Sequence, residues 1–223
     1  MADWKPYPAS LLAAMIAFSG AALRAQADEP FEPESRRGSG RTLAVDVSNG
    51  WSATSLFGGV TDPGRGTLSA AVHAQLPLIA GPRFALDYTA GVVPVELAVG
   101  TRVAGPRQSL VSRTVYGAGL DGVGLTARFR GLGRWEPYLV ALGGVRLFTA
   151  PVPDPRGLRF NFSADLGGGV AVRLARGQRL KLGVSLHHLS NGGLGRANPS
   201  FNGFTVSVGF EGLRSRAGHG GRS

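Results

Sequence analysis

The chain has 223 residues, no cysteine, 35 glycines, and 24 Lys plus Arg against 14 Asp plus Glu, for a formal net charge of +10. A disulfide framework and a thiolate metal centre are excluded, and a glycine share more than twice the usual roughly 7% argues against a helical domain. The length suits one domain with appendages.

The basic charge is nearly all arginine, because the only lysines are Lys5 and Lys181. Nucleic acid is not an expected partner: no stretch interleaves arginine with exposed aromatics, and no recognition-helix pattern is visible. The arginines sit at the ends of apolar runs instead, among them Arg102, Arg107, Arg113, Arg130, Arg134, Arg156, Arg159, Arg176 and Arg179. That placement fits a surface meeting anionic lipid headgroups.

In chain order, Lys5 precedes the apolar stretch Leu11-Leu12-Ala13-Ala14-Met15-Ile16-Ala17-Phe18, and Ala25-Gln26-Ala27 supplies small residues at a cleavage position. Residues 1–27 therefore read as a secretory signal peptide. Residues 28–41 form a polar leader with Pro30 and Pro33.

Eight runs of period-two alternation follow, each predicting a strand. The first covers residues 42–49, with Leu43, Val45 and Val47 opposite Ala44, Asp46 and Ser48. The second, 67–78, sets Leu68, Ala70, Val72, Ala74 and Leu76 against Ser69, His73 and Gln75. The third starts with Phe84, Leu86 and Tyr88 opposite Asp87 and Thr89, and slips phase near Val92–Pro94. Beyond the slip, Val93, Val95, Leu97 and Val99 oppose Glu96, so a bulge is expected there, where proline cannot donate to a ladder.

The fourth run (115–130) and the fifth (136–148) carry Val123, Leu125 and Phe129, then Leu139, Ala141, Val145 and Leu147, on one face. In the sixth, Phe160, Phe162, Ala164 and Leu166 oppose Asn161, Ser163 and Asp165. The seventh sets Leu182, Val184 and Leu186 against Lys181, Ser185 and His187, and the eighth sets Phe204, Val206, Val208 and Phe210 against Thr205 and Ser207.

Short connections (80–83, 131–134, 175–178) alternate with longer ones (50–66, 100–113, 151–157, 191–202). This is the plan of an all-β, eight-stranded antiparallel up-and-down transmembrane barrel over residues 42–210, followed by a flexible basic tail at 211–223. A soluble ligand-carrying barrel would coat its polar face with Lys and Glu. Here that face is mostly Gly, Ser and Thr with a few charges (Asp46, His73, Asp87, Arg128, Arg146, Asp165, Arg173, Lys181), which suits a narrow lumen. The apolar face then meets lipid.

By the same parity, His188, Ser190 and Asn202 continue the lipid-facing side, near the outer rim, while His187 points into the lumen. A histidine and a serine two apart on one strand face are side by side, as a base and a nucleophile need to be. The opposite parity of His187 argues against a two-histidine metal site.

The stretch His188-Leu189-Ser190-Asn191, followed by Asn198-Pro199 and a polar residue at 202, resembles the outer-membrane lipid A 3-O-deacylase family. Phe160-Asn161-Phe162 and Tyr116-Gly117-Ala118-Gly119-Leu120 are also similar to that family. The resemblance implies an esterase that removes the acyl chain at the 3 position of lipid A, with Ser190 as nucleophile and His188 as general base. Asn198 and a backbone N–H near Gly193 would form the oxyanion hole, and Arg196 would meet a substrate phosphate. It implies no cofactor and no metal. Its partners would be lipopolysaccharide and outer-membrane lipids, with a homodimer left open, in the Gram-negative outer membrane.

One position departs from the family pattern: the third catalytic residue is Glu in the family and Asn202 here. An Asn carbonyl can accept from the His188 Nδ1–H but brings no counter-charge to an imidazolium; a comparable Asp→Asn change in a serine protease lowers the rate about 10⁴-fold. The competing reading is a catalytically weak or inactive structural or adhesive barrel.

Overall fold

The structure is a computed structural model that describes residues 42–52, 64–105, 109–174 and 177–213. The expected signal peptide, leader and most of the basic tail, with His219, lie outside the described residues. Eight strands close into one antiparallel barrel in sequence order: β1 (Thr42–Ser52), β2 (Gly66–Ala80), β3 (Phe84–Ala104), β4 (Leu110–Phe129), β5 (Trp135–Val152), β6 (Leu158–Arg173), β7 (Arg179–Ser190) and β8 (Ser200–Leu213). Closure pairs β1 with β8, so neither edge is left open, as a wall lying in hydrocarbon requires.

The orientation of the faces follows the alternation. Leu166 is 62% exposed on the outer wall, whereas Glu136 is 0% exposed inside. The lumen holds its charges in two linked groups. At the end bearing the short turns, Arg128 pairs with Asp87 and Glu211, Arg179 with Glu211 (3.2 Å) and Glu136 (2.7 Å), and Arg173 with Glu136 (2.8 Å). Further out, His73 lies between Asp46 (3.1 Å) and Asp121 (2.9 Å), and Arg146 joins Asp121 (2.8 Å) to Glu96 (2.6 Å). Lys181 meets Asp46 at 3.4 Å, and His187 meets Asp165 at 2.8 Å. A polar cavity lined by Ser48, Ser69, Thr89, Thr126, Tyr138 and Ser185, among others, occupies the middle of the barrel. Above these layers Ala98, Val115, Phe148, Val152, Leu189 and Phe201 close the lumen with an apolar plug.

Three expectations are corrected. Val93 does not share the outward face of Val95, Leu97 and Val99; it is 1% exposed and turned inward with Glu96. The extra residue of β3 falls after it, where Val93 and Glu96 pair with Gly119 and Gly117, and Val92 and Val95 with Val72 and Ala70. The phase therefore changes at Pro94, which lacks the N–H a regular ladder would use.

The long connection expected at 100–113 is mostly strand. Gly100, at φ 74, is a bulge rather than the start of a loop, and β3 runs on to Ala104 while β4 begins at Leu110. Finally, β8 passes the expected barrel boundary, and Glu211 is a 0% exposed lumen residue instead of part of the tail.

Taking one partner from a buried ion pair leaves a desolvated charge behind. Glu211→Gln weakens the hold on both Arg128 and Arg179, and is expected to lower stability by about 3 kcal/mol. A fall in the urea midpoint of the detergent-folded barrel, with wild-type heat-modifiable migration at low urea, checks this.

Candidate active site

Strands β7 and β8 pair without a register shift from Arg179↔Glu211 to Ser190↔Ser200. That register makes His188 and Asn202 direct cross-strand neighbours, and such pairs on one face are close enough for side chains to touch. His188 Nδ1 lies 2.6 Å from Asn202 Oδ1, and His188 Nε2 lies 3.0 Å from Ser190 Oγ.

The Asn202 carbonyl oxygen is the end of the amide turned toward the ring. A carbonyl oxygen only accepts, so the hydrogen of the neutral ring is on Nδ1 and donates to Asn202. The Nε2 lone pair then faces the Ser190 hydroxyl, which donates to it. This is the tautomer a general base needs. The other end of the amide is also engaged, since Asn202 Nδ2 donates to Ser200 Oγ at 3.4 Å.

On the flank toward β6, Ser190 is opposite Phe162 and His188 is opposite Ala164. Ser190 is 7% exposed although its parity points outward. Phe162 is 42% exposed, and its ring lies against Gly192, where a Cβ would come within 2.7 Å of it. Gly192 and Gly193 both have positive φ, 63° and 80°, so the chain turns sharply straight after the strand. His187 is in the lumen with Asp165 and does not join the outward cluster.

The following loop is organised by Asn191, which is 0% exposed. Its Nδ2 donates to the Ala197 carbonyl at 2.8 Å, and its Oδ1 accepts from the Gly193 N–H at 3.0 Å. Its own backbone N–H donates to Asn198 Oδ1 at 3.1 Å. This last bond commits the carbonyl end of Asn198 to the loop and leaves its NH₂ as the end available to a substrate. The Gly193 N–H, expected to serve an oxyanion, must exchange its bond to Asn191 before it can do so. Arg196 is exposed on the same loop.

Across the rim, Asp154 is the one acid among the described residues of the outer loops. Burial pushes its carboxyl up, but hydrogen bonds from the Arg156 side chain (2.9 Å) and backbone (2.9 Å) outweigh this and hold it below the ordinary carboxylate value.

The roles of two residues of this arrangement are not legible in the sequence, although Asn191 closes the His188-Leu189-Ser190-Asn191 motif. Asn191-Gly192 reads as ordinary turn chemistry, and only its burial and three bonds show that it ties the loop together. Ser200 gave no signal beyond its place two residues before Asn202 on the same face.

The family model for lipid A 3-O-deacylase (PagL) matches residues 98–211, just over half of the chain. The chain belongs to this family. The PagL match begins on β3, takes in β4 to β7 whole, and ends on β8, so it contains every residue of the cluster just described.

Among solved structures, the crystal structure of the outer membrane enzyme PagL superposes with a TM-score of 0.55 at 16% identity, covering 74% of this chain and 97% of that one. Neisserial surface protein A gives 0.44 at 15% identity (78% and 97% covered). The outer membrane protein AlkL gives 0.41 at 15% identity (86% and 99% covered). No curated protein matches the sequence.

Two of the three Asn191 bonds are made by its side chain, and each buried hydrogen bond contributes about 1 kcal/mol. Asn191→Ala is therefore expected to speed hydrogen exchange at the Gly193 amide by roughly tenfold or more, with little change on β1 to β6. Exchange measured by mass spectrometry on the detergent-folded protein checks this.

Proposed function

We propose that this PagL-family barrel is an outer-membrane ester hydrolase that removes the 3-O-linked acyl chain of lipid A. The observation that carries the reading is the position of His188 between Ser190 Oγ at 3.0 Å and Asn202 Oδ1 at 2.6 Å, in the tautomer that can take a proton from serine.

In this mechanism Ser190 Oγ attacks the ester carbonyl carbon while His188 Nε2 takes its proton. The carbonyl oxygen becomes an oxyanion, stabilised by the Asn198 NH₂ and by the Gly193 N–H once it leaves Asn191. Collapse of the tetrahedral species breaks the bond to the sugar oxygen, which leaves as an alcohol carrying the proton from His188. Water, deprotonated by the same imidazole, then attacks the acyl-Ser190 ester. The fatty acid is released and the serine restored.

Asn202 orients the ring through its carbonyl but gives the imidazolium no counter-charge, so turnover depends on orientation more than on charge stabilisation. The outward parity of the cluster supports a lipid substrate, because the ester of an outer-leaflet lipid would lie against this wall.

The test is release of 3-hydroxy fatty acid from lipopolysaccharide by the detergent-folded protein, read by mass spectrometry. Ser190→Ala is expected to abolish release while the barrel still folds, and undiminished release in that variant would refute the assignment. Asn198→Ala is expected to lower kcat by about 10²–10³. Asn202→Glu, which supplies the missing charge, is expected to raise kcat about tenfold or more; an unchanged rate would show that the charge at this position does not limit the enzyme.

A further inference from the structure

We propose that the short-turn rim of the barrel binds anionic phospholipid headgroups of the inner leaflet through Arg83, Arg130, Arg134 and Arg173. This rests on the seating of the barrel in the outer membrane and is independent of the hydrolase reading.

In barrels of this kind the short turns face the periplasm. Two of them carry the same device. The Arg130 N–H donates to the Arg83 carbonyl at 2.8 Å, and Arg130 Nη1 donates to the Gly81 carbonyl at 3.1 Å. The Arg130 guanidinium therefore lies on the turn between β2 and β3, to which Arg83 belongs. Further round the rim, the Arg173 N–H donates to the Arg134 carbonyl at 2.8 Å, and Arg173 Nη2 donates to the Gly133 carbonyl at 3.2 Å. The Arg173 guanidinium lies on the turn between β4 and β5 in the same way. Arg83 and Arg134 are exposed. Four arginines thus follow one arc of the rim.

Like charges on neighbouring strands repel unless an anion answers them. The acids at this end are Asp87, Glu136 and Glu211, and all three are buried. Arg128 and Arg179 engage them from inside, and Glu136 also holds Arg173 Nε at 2.8 Å. Among the described residues, Arg83, Arg128, Arg130, Arg134, Arg173 and Arg179 outnumber these acids two to one. Positive charge is left over at the rim.

The surroundings point to lipid rather than to the polymer of the cell wall. Phe129 (42% exposed), Leu132 (62%) and Trp135 (57%) interleave with Arg130 and Arg134 along the β4–β5 turn. Exposed aromatic and aliphatic groups suit the acyl boundary, and guanidinium groups suit the phosphates beside it.

The height of the rim agrees. Phe162, the cross-strand neighbour of Ser190, and Arg173 are eleven residues apart on β6. At about 3.3 Å per residue and a tilt of about 40°, that is about 28 Å along the membrane normal. An apolar band of about 25 Å fits between the two levels. With the Ser190 end of β7 at the outer boundary, the arginines lie in the inner headgroup layer, whose lipids are phospholipids.

The experiment presents the detergent-folded full-length protein with equal amounts of phosphatidylglycerol and phosphatidylcholine, and counts bound lipids by native mass spectrometry. Wild type is expected to retain phosphatidylglycerol over phosphatidylcholine by about fivefold or more. Arg83→Gln/Arg134→Gln, which leaves the turn-bound Arg130 and Arg173 in place, is expected to bring that ratio to within about twofold of unity. Arg113→Gln/Arg159→Gln removes two exposed arginines at the opposite rim and is expected to keep the wild-type ratio. Heat-modifiable migration verifies that each barrel is folded.

A wild type with no preference for phosphatidylglycerol overturns the proposal, as does a preference that survives in Arg83→Gln/Arg134→Gln. An equal fall in the opposite-rim variant assigns the preference to net charge alone and overturns it too. So does retention on peptidoglycan that the short-turn variant loses, with no lipid preference, since it assigns the rim to the cell wall. No arm reads turnover, so the outcome stands apart from that of the hydrolase reading.

Discussion

The cluster of His188, Ser190 and Asn202 depends on the register between β7 and β8. These strands pair residue for residue from Arg179↔Glu211 to Ser190↔Ser200, and that pairing brings His188 to Asn202. A slip of one residue would turn either strand over, sending its outward residues into the lumen. Lys181, His187, Thr205 and Glu211 would then face hydrocarbon. Their ion pairs and hydrogen bonds in the lumen resist this, so the network inside the barrel also fixes the geometry outside it.

The strand interior is layered accordingly. The charges nearest the short turns link β3, β4, β5, β7 and β8 through Asp87, Arg128, Glu136, Arg179 and Glu211. The next layer links β1 through β7 by way of Asp46, His73, Glu96, Asp121, Arg146, Asp165, Lys181 and His187. Buried ion pairs add little net stability over an apolar filling of the same shape, but they exclude arrangements in which a charge loses its partner. They act here as a register lock. Above them, Leu189 and Phe201 back the residues next to them in sequence, Ser190 and Asn202, from the lumen side.

Much of this was legible in the sequence because period two is a strong signal when one face must meet lipid and the other a polar lumen. The eight strands, the lumen position of His187 and Asp165, and the outward parity of His188, Ser190 and Asn202 all follow from it. Alternation fails where the backbone departs from the regular ladder. Alternation puts Val93 on the outward face, whereas the extra residue of β3 comes after it and turns it inward, and Gly100 reads as the beginning of a loop although it is a bulge. Glu211 reads as the start of a tail because a single acid at a strand end carries no periodicity; the arginines across the barrel give it its place. The role of Asn191 in the loop is hidden for a similar reason. Asn-Gly is the commonest of turn signals, and nothing local distinguishes one whose side chain ties down Gly193 and Ala197 from one open to solvent.

The apolar plug also bears on where water comes from. In the proposed reaction, deacylation of Ser190 would consume one water for each fatty acid released. Among the described residues, Phe148, Leu189 and Phe201 set an apolar layer between the lumen cavity and the outer rim. Under that proposal the hydrolytic water would come laterally, from the hydrated headgroup layer above the loop at 191–199. The pace of the second half of the reaction would then be tied to how wet the outer leaflet is at that depth, a property of the surrounding membrane as much as of the protein.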